Sequence, residues 1–217
     1  MSLPDLAWQM IYARLAWTLV LAATAVGLWS WWRVPSRGVV AAAFGLSAVA
    51  VWLPGPASVA HWLGLAFQMP SGLLTACCVL TLGAGWLRQA SFKALPLPFA
   101  MVLVVVGLVL YLDSSGWLSL GLYASAFGPR GAPWAGVLLG LLAAGVFAGR
   151  RHRATAAAVL FSTTLFALTR LPTGNLCDAL LDPLLWFWAI ASSIVQVRVR
   201  RRERRLSIPA VPAAAAP

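Results

Sequence analysis

The chain is patterned as long apolar runs divided by short polar or basic connections. The first run, Leu15 to Trp32, closes on Trp29, Trp31 and Trp32 followed by Arg33, an aromatic and basic pairing typical of a membrane–water boundary. The second, Gly38 to Leu53, stops at Pro54-Gly55-Pro56, a strong turn signal. The third, Trp62 to Trp86, is interrupted near one end by Gln68 and Pro70. The fourth, Leu95 to Leu112, starts after Arg88 and Lys93 and ends at Asp113. The fifth, Trp134 to Gly149, is short, which leaves six or seven crossings. The sixth and seventh are Thr155 to Leu171 and Leu176 to Val197. Residues 1–13 have no basic segment ahead of an apolar core, so no cleavable signal peptide is expected.

Between the fourth and fifth runs, Asp113 to Pro133 has too few consecutive apolar residues to span. Its Trp117, Leu118, Leu120, Leu122, Tyr123 and Phe127 predict an interfacial or re-entrant helix instead. Gly136/Gly140 and Gly145/Gly149 on the fifth run have the small-xxx-small spacing that lets helix backbones approach in lipid, here read as ordinary packing within the chain. The fold class expected is all-α: a polytopic transmembrane bundle of about seven helices over residues 1–205. A disordered Ala/Pro tail over 206–217 follows it.

Composition agrees. Hydrophobic residues make up 61% of 217 positions and charged ones 10%, against about 25% charged in a soluble domain. A net charge of +11 would suggest nucleic acid in a soluble protein. Here the basic residues sit in short clusters between apolar runs, so no nucleic-acid partner is expected. Placing Arg33/Arg37, Arg88/Lys93, Arg150/Arg151/Arg153 and Arg198–Arg205 on one side puts thirteen of the sixteen basic residues there, leaving Arg14, Arg130 and Arg170 opposite. By the positive-inside rule the amino terminus is outside and the carboxyl terminus cytoplasmic, as in a bacterial inner-membrane protein. The arginines of the tail are expected to meet anionic lipids. Asp5, Asp113, Asp178 and Asp182 all fall outside, with only Glu203 inside, an asymmetry the insertion rule does not require.

The outward groups concentrate in Arg170 to Trp186, which joins a basic residue, Asn175, Cys177, Asp178 and Asp182 between two apolar runs. Asp178 and Asp182 are four apart, the spacing of one helix face, and like charges there call for Arg14, Arg130 or Arg170 as partners. Asp182-Pro183 fits an N-cap followed by the first helical residue. A helix from Pro183 to Val197 would be only about 22 Å long, short of a ~30 Å core, so a short outer turn before the break is expected. As a cap, Asp182 should tolerate Asn, while Asp178 is free to act. Candidate ligand contacts are Arg14, Gln68, Asp113, Arg130, Arg170, Asn175 and Asp178; candidate catalytic groups are Asp178, Asp182 and Cys177.

The vicinal pair Cys77-Cys78 is similar in form to that of mercuric-ion membrane transporters, whose thiolates bind a soft metal. The likeness covers two residues. Adjacent helix positions point apart, and free cysteine packs as a small hydrophobe, so the pair is a weak metal candidate. His61 and His152 lie on opposite sides, which excludes a bis-histidine haem across one helix pair. The topology is similar to that of microbial rhodopsins, but the lone lysine, Lys93, is in an inside loop and not in the seventh helix. Nucleotide-binding, serine-hydrolase and zinc-protease motifs are absent, and no cofactor is indicated. Two functions remain. One is a non-enzymatic component that binds an anionic or lipid-linked ligand, or a membrane protein partner, at its outer face. The other is an embedded hydrolase or transferase with Asp178 or Asp182 as acid–base.

Overall fold

The computed structural model describes residues 4–89, 92–128, 131–148 and 152–206; Arg130 and the 207–217 tail lie outside that set. Among the described residues every regular element is helical. The α-helices are α1 (Leu6–Trp29), α2 (Arg37–Trp52), α3 (Val59–Phe67), α4 (Gly72–Trp86), α5 (Leu97–Ser114), α6 (Leu122–Ser125), α7 (Gly131–Ala148), α8 (Arg153–Thr169), α9 (Leu176–Leu180) and α10 (Pro183–Leu206).

Two of these, α1 and α5, are long and apolar enough to cross a membrane alone; α2, α4, α7 and α8 are shorter apolar helices. The starts follow local chemistry. Ser36 and Ser71 accept the amide N–H groups of Val39 and Leu74, capping α2 and α4 as N-terminal serines do.

Helix α4 is the hub, packed on α1, α2, α8, α9 and α10, while α5 pairs with α10 and α7 leans on α8. The core mixes small and large residues: Ala22, Ala23, Cys77, Ala100, Ala158 and Ala189 are buried with Trp17, Leu73 and Leu185. Close approach depends on glycine at two crossings. A Cβ on Gly107 would run into the Trp186 indole, and one on Gly72 would come within 2.9 Å of Ser162 Oγ. Trp186 also donates its indole N–H to the Val104 carbonyl at 3.1 Å, fixing α10 to α5.

Three elements differ from the sequence expectation. The run Trp62 to Trp86 is two helices, since Gln68 adopts φ 59° and Pro70 cannot donate to the preceding turn. The side chains of α1 take up the carbonyls this break frees, Tyr12 Oη donating to Pro70 at 2.8 Å and Trp17 Nε1 to Gln68 at 3.3 Å. The Asp113–Pro133 connection carries less helix than expected. Left-handed residues at Gly116, Ser119 and Gly121 limit it to the single turn of α6. Finally, α10 does not stop at Val197 but carries the arginine-rich segment as helix to Leu206.

Candidate functional site

At the end of the bundle opposite the basic clusters, three chain breaks meet. They are the α3–α4 link, the end of α5 with its loop to α6, and the α8–α9–α10 corner. Together they line a cavity of about 370 Å3, a volume in the range of small-molecule sites. Its rim includes exposed Ala66, Phe67, Gln68 and Ser114, and its floor the buried Leu181 and Asp182. Tyr111, Tyr123, Thr173, Cys177 and Asp178 complete the polar wall.

The three aspartates at this end are held differently. Asp182 is 8% exposed; one oxygen accepts the Leu185 amide at 2.7 Å, and the other accepts the Ser71 amide at 2.6 Å. It therefore caps α10, as the Asp182-Pro183 dipeptide predicts, and also ties in the residue that caps α4. Two helix N-termini face this carboxylate, and their partial positive charge offsets its own. Asp113 accepts three amide N–H groups, from Leu120 (2.6 Å), Gly121 (2.9 Å) and Tyr123 (3.0 Å), and so holds the α5–α6 loop.

Among the described residues Asp178 accepts only hydroxyls: Tyr123 Oη at 3.1 Å to each oxygen, and Thr173 Oγ1. Burial and the neighbouring Asp178 charge raise the Tyr123 hydroxyl to about 12, so at neutral pH it is a donor.

Arg14 and Arg170 do not answer these charges. Arg14 lies over the Trp52 ring at 5.5 Å and Arg170 over Phe166 at 5.0 Å. Neither lines the cavity, and Arg170 Nε is buried without a hydrogen-bond partner. Among the described residues neither Asp178 nor Asp182 has a basic partner. Asn175 is fully buried; its amide donates to the Tyr123 carbonyl at 3.1 Å and its oxygen caps α9 through Cys177 N at 2.8 Å. Those bonds make it a brace behind the cavity wall. Of the sequence candidates, then, Gln68, Cys177, Asp178 and Asp182 share one space, while Arg14, Arg170, Asp113 and Asn175 stand outside it.

Cys77 and Cys78 are buried in the core, and no group of three or more His, Cys, Asp or Glu side chains able to hold a metal ion occurs among the described residues. Tyr111, Tyr123 and Thr173 were not among the site residues expected from the sequence. Tyr123 is 55 positions from Asp178, and no local signal links them. Ser71 does carry one, standing after Pro70 and ahead of an apolar run as helix caps do. The chain matches no protein-family model, no curated protein and no solved structure.

Proposed function

We propose that this is a multi-pass membrane protein of about seven crossings, with its amino terminus outside and its carboxyl terminus in the cytoplasm. On this reading its outer-end cavity binds a ligand without transforming it, in a binding, assembly or translocation role. The membrane reading is supported by the surface of the bundle. Many large apolar side chains face out: Leu46 is 73% exposed, Leu141 67% and Leu168 80%. Water would penalise such a surface, whereas lipid favours it. Paired elements supply the length that single helices lack, α3 with α4 and α9 with α10. The arginines that close α10 would then lie in the headgroup region, where anionic lipids attract them.

The observation that carries the binding role is the convergence of Gln68, Cys177, Asp178 and Asp182 on one cavity with an exposed rim. The acid–base reading lacks such support. Asp182 is committed to two amides, and no histidine lines the space beside Cys177; His61 is exposed and stacks edge-on against Trp62.

Cys177 is half-buried in the wall, and the other two cysteines are buried, so it reports on the site directly. A membrane-impermeant maleimide added to intact cells should label the parent and spare Cys177→Ser. Labelling confined to inverted vesicles would reverse the orientation, and no labelling even in detergent would mean that the cavity is closed.

A further inference from the structure

We infer that the outer-end cavity selects a small organic cation, an ammonium or guanidinium carried on an apolar body. This rests on the cavity being a ligand site and names what that site takes.

The charge balance points there. Asp113 and Asp182 each face converging backbone N–H groups, and those dipoles answer a carboxylate's charge. Among the described residues Asp178 receives hydroxyls alone, which hold its oxygens in place but bring no balancing charge. Neither Arg14 nor Arg170 reaches the cavity; both are spent on aromatic rings. A carboxylate fixed in a partly desolvated wall attracts a cation more strongly than one in open water.

The rest of the lining suits an organic cation better than a bare ion. Phe67, Tyr111 and Tyr123 supply rings, and ring faces attract ammonium groups. Met69 and Leu110 supply apolar wall. Tyr111 adds a hydroxyl that is buried with no partner, a group that a ligand N–H or carbonyl would satisfy. A bare ion, by contrast, requires several oxygens at one point, and about 370 Å3 is far more room than it would fill.

Cys177 in the same wall makes the inference measurable. Its modification rate is compared for cationic trimethylammonioethyl, neutral methyl and anionic sulfonatoethyl methanethiosulfonates, each normalised to a small free thiol. The cationic reagent should be favoured over the anionic one by about tenfold, the factor that 1.4 kcal/mol of attraction gives. Asp178→Asn should erase that preference and Asp178→Glu retain it, with melting temperatures showing that both variants fold. Benzyltrimethylammonium should slow the neutral reagent, and Tyr111→Leu, which keeps the charge, should weaken that protection by roughly two- to fivefold. A preference for the sulfonate, or one unchanged in Asp178→Asn, would overturn the cationic ligand while leaving a binding cavity. Failure of even the neutral reagent to react would instead remove the cavity reading itself.

Discussion

Asp178 and Asp182, four residues apart in sequence, end in unlike chemical roles. Because Asp182 uses both oxygens as acceptors toward Ser71 N and Leu185 N, an amide cannot replace it cleanly. Asn keeps one oxygen for a helix cap but turns an NH2 group toward the other N–H. Asp182→Ala should therefore cost roughly 3 kcal/mol, and Asp182→Asn about 1–3 kcal/mol, as buried bonds to a charged acceptor are lost. Asp178→Asn should leave the melting temperature in detergent near the parent value. Equal stability of Asp182→Asn and the parent would show that the Ser71 contact is dispensable.

Tyr123 gives a pH test at the same scale. Its hydroxyl is raised by burial and by Asp178 from 10.0 to about 12. A group raised in the folded state contributes stability that is fully present below the unfolded value and is lost as pH rises through the folded one. Melting temperature should therefore fall between pH 10 and about 12, and Tyr123→Phe should flatten part of that fall. An identical alkaline slope in the variant would deny Tyr123 any share in it.

At the scale of elements, glycines with the same helical surroundings are used in two ways. Gly107 lies where α5 meets α10, with Trp186 occupying the space of a side chain, whereas Gly136 and Gly140 on α7 have nothing within 4 Å of an added Cβ. Gly107→Ala should destabilise by about 1–3 kcal/mol through overpacking. Gly136→Ala should be neutral or gain up to about 1 kcal/mol from helix propensity. Thermal unfolding of the two variants in one detergent separates them, and a tolerated Gly107→Ala would mean that α5 and α10 can slide apart. The α3–α4 break is a further element-scale feature: Tyr12 and Trp17 bind its carbonyls, so α1 stabilises the corner on which the cavity rim stands.

For the molecule as a whole, the proposed orientation makes the cavity face outward. Reporter fusions after Arg37, Arg88 and Arg153 should give cytoplasmic signals, and those after Pro56 and Gly174 exported ones. An exported carboxyl terminus would turn the basic clusters outward and place the cavity on the cytoplasmic side.

The sequence by itself determined the helical class, most helix ends and the segregation of charge. These follow from run length, caps and the positions of Pro and Arg, which act over a few residues. The cap at Asp182-Pro183 was legible for that reason, and Gln68-Met69-Pro70 was legible as an interruption. Only the tertiary structure decided which charges meet. Sequence spacing put Asp178 and Asp182 on one helix face, but the turn between α9 and α10 separates their duties, and two of the arginines expected as their partners, Arg14 and Arg170, rest on Trp52 and Phe166. Tyr123 and Thr173 became the holders of Asp178 because the α5–α6 loop folds over the α8–α9 corner. That contact depends on how α4 brings α8 and α9 together, a packing outcome that no short window of sequence contains.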